Sequence, residues 1–323
     1  MIRNLSAHYI FDGRDRMIKN GILTLNEKGE VLDLSEPQEG VCEESRMEFY
    51  NGILVPGFIN AHCHLELSHM KNNIEQGKGM EHFIRSVVTN RENDPESIDQ
   101  AMNDAINEMA NEGIVAVGDI SNKDDSFHIK SKSNLYFHTF VEIFNTSDEG
   151  AEDSFLEGMR LVKKAKEEWI LTASLTPHAA YSVSLKLFDL IRENLNEQEN
   201  IISVHNQESL NEDPFVMDLE GKFKALFEDL GFHLSGMKAN RKTSFSFLLD
   251  VLPEAPSNLF VHNVHIDKKD INSLRPSIQK TFWVLCPRSN KYINGSLPPS
   301  FLTENYPEQI CIGTDSLASN TSL

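Results

Sequence analysis

Ile53-Leu54-Val55-Pro56-Gly57-Phe58-Ile59-Asn60-Ala61-His62-Cys63-His64 runs from an apolar, strand-like segment into two histidines spaced i and i+2. In an extended strand alternate side chains share a face, so His62 and His64 can converge on one ion from a strand end. Far along the chain, Gln309-Ile310-Cys311-Ile312-Gly313 is another short apolar run, and Asp315 follows it within Ile312-Gly313-Thr314-Asp315-Ser316-Leu317-Ala318-Ser319. Two histidines and a carboxylate at strand ends suggest a metal site with a position left for water.

Outward from Val55 the sequence alternates between strand and helix patterns. Ile98, Ala101-Met102, Ala105-Ile106 and Met109-Ala110 mark one apolar helical face. Gly113 ends that helix and Ile114 to Ile120 is the next strand. Phe155 to Trp169 reads as a helix and Ile170 to Leu175 as a strand. Ser184 to Leu195 reads as a helix with a serine cap, followed by the strand Ile201 to His205. Leu259 to His262, Thr281 to Leu285 and Gln309 to Ile312 are further strands. Recurrent βα units with polar residues at the strand ends indicate an α/β fold, with a (β/α)8 TIM-type barrel ahead of a doubly wound sheet, since no G-x-G-x-x-G follows the first strand. Residues 206–257 are long for one connection. Part of this stretch (Phe215 to Leu230) reads as helix and 231–241 as loop, so it is either a lid or specificity loop or a plain insertion. Residues 1–55 differ in texture: Ala7 to Phe11 and Gly21 to Leu25 are strands with turns at Asp12-Gly13 and Asn26 to Gly29, a small β unit before the main domain of 56–323.

The 323 residues suffice for one large domain, alone or with a small appendage, and 40% hydrophobic content allows a full core. With 30 Lys+Arg against 49 Asp+Glu the formal charge is −19, which disfavours nucleic acid and anionic membranes but not a small anionic ligand in a locally basic pocket. Cysteines 42, 63, 286 and 311 form no C-x-x-C pair, which argues against a disulfide framework or an all-cysteine zinc site. There is no apolar run of membrane-spanning length and no leading signal-peptide pattern, so the expectation is a cytoplasmic protein, with self-association left open.

Several further residues fall at strand ends. His205 lies in His205-Asn206-Gln207-Glu208, His262 in Val261-His262-Asn263-Val264-His265 and His178 in Thr176-Pro177-His178. A lone strand-end histidine is more often structural. Shared placement at the carboxyl ends of successive strands is where barrel sites are assembled.

Pro56 to Glu66 resembles the opening signature of the amidohydrolase superfamily, and the order continues through Thr176-Pro177-His178, His205-x-x-Glu208, Val261 to His265, Cys286-Pro287-Arg288-Ser289-Asn290 and Gly313-Thr314-Asp315. From about residue 50 onward the chain is similar to the cytosine, guanine, S-adenosylhomocysteine and aminofutalosine deaminase branch. The string at 63–69, Cys-His-Leu-Glu-Leu-Ser-His, most resembles the aminofutalosine type. The resemblance implies a (β/α)8 barrel with a small N-terminal β-sandwich portion. It also implies one divalent ion, zinc or iron(II), on His62, His64, His205 and Asp315. Glu208 would shuttle protons, His262 would orient the metal-bound hydroxide, Asp315 would take the water proton and His178 would contact substrate. Binuclear relatives carry a bridging lysine after the fourth strand, where this chain has Leu175-Thr176-Pro177-His178, which favours one ion. Asn263 stands where many deaminases of the branch have cysteine. Glu66 and His69 either contact substrate or close a local turn; Arg288 and Asn290 either bind substrate or fix their loop; Arg241 and Lys242 either meet an anionic tail or are solvated. The implied reaction is hydrolysis of a C–N bond other than a peptide bond, deaminating an amino-purine or related nucleoside. The alternatives are another C–N or C–Cl bond of a heterocycle, or an inactive metal-binding homologue. Because relatives continue beyond Ser319-Asn320-Thr321-Ser322-Leu323, the last barrel helix and the returning strands are expected to be missing, as in a truncated chain.

Overall fold

A computed structural model describes residues 2–36, 47–195, 201–254, 257–274 and 280–323. It divides into two units, Met1–Phe58 and Ile59–Leu323. In the first, β-branched and aromatic residues between polar turns form β1 (Arg3–Phe11), β2 (Met17–Lys19), β3 (Ile22–Leu25), β4 (Val31–Ser35) and β5 (Met47–Leu54). They make one sheet of order β2-β1-β3-β4, with β5 parallel to β1. The turn expected at Asp12-Gly13 is closed by Asp12 Oδ1, which accepts the N–H groups of Arg14, Asp15 and Arg16 at 2.9, 3.1 and 3.1 Å. Among the described residues no second sheet faces this one. Residues 37–46, Cys42 among them, lie outside the described residues.

Among the described residues the second unit carries eight strands: β6 (Phe58–Cys63, which begins at the boundary), β7 (Ile114–Ser121), β8 (Tyr136–Ile143), β9 (Thr172–Pro177), β10 (Ile201–Asn206), β11 (Ser257–His262), β12 (Thr281–Leu285) and β13 (Ile310–Ile312). They form two four-stranded sheets, β6-β7-β8-β9 and β10-β11-β12-β13. The registers from β7 to β9 and from β10 to β13 are all parallel. Isolated parallel bridges join the sheets at both edges, Ala179 to His205 and Cys63 to Asp315. The helices are α1 (Met80–Asn90), α2 (Pro95–Asn111), α3 (Phe127–Lys130), α4 (Ala151–Glu167), α5 (Leu185–Asn194), α6 (Glu212–Asp218), α7 (Lys222–Asp229), α8 (Ser244–Val251), α9 (Lys268–Asn272), α10 (Pro287–Asn294) and α11 (Phe301–Asn305). Among the described residues no helix is long and apolar enough to cross a membrane.

The core lies between strands and helices. Phe188, Phe215, Phe223, Phe245, Phe260 and Trp283 are fully buried in one cluster, each such side chain worth about 1.5–3 kcal/mol of transfer free energy. Gly158 lets α4 approach the sheet, since a Cβ there would lie 2.6 Å from both Ile143 Cγ2 and Leu175 Cδ1.

Local chemistry corrects several expectations. The α2 face is buried at Met102, Ala105, Ile106 and Met109, but Ala110 points outward. The strand expected from Ile170 begins at Thr172, because Ile170 adopts a left-handed φ of 54° as the chain leaves α4. The single helix expected over 215–230 is two, interrupted where Leu219 turns left-handed (φ 55°). The α5 cap is as expected: Ser184 Oγ accepts the Leu187 N–H at 3.3 Å. Strand β8 and helices α1 and α8 were not anticipated.

Candidate active site

His62 is near the end of β6 with His64 just beyond it, His205 and His262 end β10 and β11, and Asp315 follows β13. The outer strand is drawn against β6 by backbone bonds. The N–H groups of Thr314 and Asp315 both donate to the His62 carbonyl at 3.0 Å. Asn60 clasps Thr314, accepting its N–H at 3.0 Å and donating to its Oγ1 at 2.7 Å. Gly313 makes this approach possible, for a Cβ there would meet His62 Cβ at 2.8 Å and Cys286 Sγ at 2.9 Å.

His64 Nε2 then lies 3.2 Å from His62 Nε2 and 3.3 Å from His205 Nε2. Asp315 Oδ1 is 3.7 Å from His62 Nε2 and 3.5 Å from His64 Nε2. Four donors bound at about 2.0–2.1 Å to a tetrahedral ion lie roughly 3.3 Å from one another. The donor set therefore fits one divalent ion in spacing and in chemistry. Tautomer and charge agree. His205 Nδ1 donates to the His178 carbonyl at 3.1 Å and lies 3.2 Å from Glu142 Oε1, which leaves Nε2 with its lone pair toward the other donors. Ser289 Oγ and Ser319 Oγ occupy Asp315 Oδ2 at 2.5 and 2.8 Å, so Oδ1 is the oxygen turned to the imidazoles.

Glu208 sits on the loop after β10. Its Oε2 is 3.3 Å from His262 Nε2, while Oε1 is buried without a hydrogen-bond partner. Asn290 Nδ2 is 2.9 Å from His262 Nδ1, and an amide donating there places the ring proton on Nε2, toward Glu208. Burial pushes the Glu208 carboxyl well above its usual range, with Asp315 and Glu212 adding to the effect. Burial also works to raise Asp315, but the His62, His64 and His262 imidazoles outweigh it and hold that carboxyl well below its usual range. Burial lowers His64 and His178 to about 4.

These groups open onto a cavity whose apolar lining includes Phe83, Ile84 and Val87 of α1 together with Phe144, Phe227 and Phe232. His178 lines it, held by Ser182 Oγ at 2.6 Å from Nδ1. Glu66 is buried. It pairs with Arg91 at 3.0 Å, accepts the Asn122 N–H at 3.2 Å, and is raised by burial to about 7. Asn290 reaches the site through His262, not by lining the cavity. Arg288 is not brought to the cavity: its exposed guanidinium bonds Thr321 and Ser322. His69 bonds the Arg91 carbonyl at 2.9 Å, and Arg241 and Lys242 pair with Asp218 and Asp250. Cys63, Cys286 and Cys311 are free thiols.

Sequence reasoning missed four supports. Glu142 ends β8, whose run Tyr136-Phe137-His138-Thr139-Phe140-Val141 carries a readable strand signal. Asp119 at the end of β7 accepts the Leu65 N–H at 2.8 Å, next to His64, and pairs with Lys130, both fully buried. Ser319 and Glu212 are visible only in three dimensions.

The carboxyl ends of the parallel strands thus gather three imidazoles and a carboxylate that could hold a metal ion, with a second carboxyl beside them that burial pushes up. Residues 53–323 match the family model of the Amidohydrolase family, and the chain belongs to that family. It is 27% identical over 275 residues to an adenosine deaminase of Helicobacter pylori, covering 85% of this chain and 66% of that protein. It is 27% identical over 312 residues to an aminodeoxyfutalosine deaminase of a Nitratiruptor species, covering 95% of this chain and 74% of that protein. The crystal structure of Helicobacter pylori aminofutalosine deaminase in complex with methylthio-coformycin has the same fold, with a TM-score of 0.82 at 22% identity over 99% of this chain and 78% of that one.

Proposed function

We propose that this chain is a metal-dependent hydrolase that deaminates an amino-purine or related nucleoside. The observation that carries the reading is a buried carboxyl of raised pKa, Glu208, beside the three-histidine and aspartate set. The two bridged edges of the sheets support a closed (β/α)8 barrel over residues 56–323, and the strands within 1–55 support one layer of a small β-sandwich. His62, His64, His205 and Asp315 would hold one ion, zinc or iron(II), since β9 is followed by His178 and not by a lysine.

Held there, such an ion would lower the pKa of a bound water from about 15.7 to about 7. The chain's residues then divide the proton work. Asp315 Oδ1 accepts the proton that the water gives up, while its Oδ2 stays fixed by two hydroxyls. Glu208, whose burial favours the protonated form, donates to the ring nitrogen as oxygen attacks the amine-bearing carbon. Asp315 then passes its proton to the amino group so that ammonia leaves, and the proton of the new C–OH group returns to Glu208 as the ring carbonyl forms. His262 keeps Glu208 oriented, and His178 contacts the ring. Positioned acid–base catalysis of this kind is typically worth ~10²–10⁴-fold.

The test is ammonia release by zinc-loaded protein from adenosine, 5′-deoxyadenosine, 5′-methylthioadenosine, S-adenosylhomocysteine and aminodeoxyfutalosine, with Glu208→Gln as control. The variant is expected to keep zinc and lose at least ~10²-fold in rate. Wild-type rates in the variant would remove Glu208 from the mechanism. Chloride release from a chlorinated heterocycle, without ammonia release from the panel, would transfer the site to the other reaction.

A further inference from the structure

Glu212 opens α6, within the long connection after β10, and its buried carboxylate is given over to three consecutive backbone donors. Oε2 accepts the N–H of Gln207 at 2.8 Å, and Oε1 accepts those of Glu208 and Ser209 at 2.6 and 2.9 Å. From the other side, Asn294 Nδ2 of α10 donates to the Glu208 carbonyl at 3.3 Å. Gln207 is held left-handed, with φ of 45°. A non-glycine residue in that region is strained, so the loop needs compensating bonds to keep this shape. Its side chain is tied as well, with Nε2 at 3.3 Å from Asp213 and 3.1 Å from Asp270. The backbone that presents Glu208 therefore has one principal anchor for its N–H groups, and that anchor comes from the insertion.

We infer that Glu212 is a positioning residue for Glu208: it clamps the backbone at 207–209 so that the Glu208 carboxyl faces His262 and the substrate cavity. The inference rests on the proposed acid–base role of Glu208. It also gives the 206–257 connection a part in catalysis at its first helix. Glu212 touches no reacting atom, so its effect passes through Glu208, chiefly by holding the backbone that presents it and secondarily by the push its charge gives the Glu208 carboxyl. Glu212→Gln keeps the side-chain length but turns an N–H₂ group toward N–H donors, which opens the clamp.

The experiment uses the zinc-loaded full chain and the fastest nucleoside of the deamination panel. In Glu212→Gln, kcat is expected to fall by about 10- to 100-fold, in line with the cost of roughly 1 Å of misplacement, while KM and bound zinc stay within about twofold. In the Glu208→Gln background the same change should cost nothing further, because residues that act as one unit are not additive. Amide hydrogen exchange at 207–209 should accelerate at least about tenfold while β10 is unchanged, a readout independent of turnover. If Glu208→Gln is inactive but Glu212→Gln turns over like wild type, the clamp is wrong and the deaminase reading stands. If wild type releases no ammonia, that reading fails, and the exchange data alone decide the clamp. Costs that add in the double variant, or a rise in KM together with a loss of bound zinc and a lower melting temperature, would make Glu212 an ordinary structural residue and overturn the inference. Should Glu212→Gln fail to fold, Glu212→Asp replaces it with the same expectations. Failure of both to fold would likewise overturn it.

Discussion

Replacing Lys130 by methionine tests whether the site depends on a charge pair that no substrate touches. Lys130 and Asp119 are paired with both side chains fully buried. The ammonium also donates to Ser121 Oγ at 2.8 Å and Thr139 Oγ1 at 3.4 Å. Asp119 Oδ1 meanwhile accepts the Leu65 N–H at 2.8 Å, fixing the chain where it leaves His64. Lys130→Met keeps most of the volume but leaves a carboxylate buried with no counter-charge, and breaking a buried pair from one side costs about 3–5 kcal/mol. At roughly 2–4 °C per kcal/mol for a domain of this size, the melting temperature should drop by about 6–20 °C. The double variant Asp119→Asn with Lys130→Met separates charge from shape. An amide oxygen at position 119 still accepts the Leu65 N–H, and no unpaired charge is left, so most of the loss should return. Urea unfolding followed by circular dichroism measures both. A single variant within about 1 kcal/mol of wild type, or a double variant no better than the single, would refute the reasoning.

Gly313→Ala should push β13 away from β6, because the new Cβ would stand 2.8 Å from His62 Cβ and 3.0 Å from the His62 carbonyl. A loss of about 10–100-fold in zinc affinity is expected by competition with a chelator, and unchanged affinity would show that the strands tolerate separation. His138 on β8 reports stability against pH: burial, with a smaller push from Lys166, lowers it to about 4, and its Nε2 is 2.9 Å from Ser174 Oγ. The unfolded chain therefore takes up this proton first, so stability falls as pH drops from about 6.5 towards 4, and His138→Gln should flatten the melting curve in that window; parallel curves would show that the ring is protonated in the fold.

What was legible depended on whether a residue's partner was local. The strand ends carrying His62, His64, His205, His262 and Asp315 were readable because an apolar run followed by a polar residue is a pattern within a few positions. So was the Ser184 cap, set by one side chain and an N–H three residues on. The break at Leu219 was not, since leucine at a left-handed φ has no propensity signature and the tertiary setting overrides the helical periodicity. Lys130 could not be read as buried, because lysine in Phe127-His128-Ile129-Lys130 looks like a solvated cap and its carboxylate arrives from β7. Arg288 shows the opposite limit. A cation inside a recognised motif was left between binding substrate and fixing its loop, and its guanidinium turns to Thr321 and Ser322. Glu142 was missed because β8 itself was passed over.

The proposed division of labour between two neighbouring carboxyls follows from what surrounds each of them. Both Asp315 and Glu208 are buried, so desolvation alone would raise both. Asp315 escapes because the imidazoles of His62, His64 and His262 face the carboxyl, so its charged form is the one favoured by the protein, while two hydroxyls fix its other oxygen. Glu208 has one imidazole near one oxygen, nothing on the other, and the carboxyls of Asp315 and Glu212 nearby, so its neutral form is favoured. Two acids driven in opposite directions assign themselves: the ionised one ligates and accepts, and the protonated one donates. The same burial would be harmful in a protein with no use for it. Gln207, His262, Asn263 and Asp315 are all left-handed around this one centre, each such residue costing about 1–3 kcal/mol unless its surroundings compensate. Strain and buried charge gathered at the carboxyl ends of parallel strands, each matched by a partner from a remote part of the sequence, support reading this centre as functional.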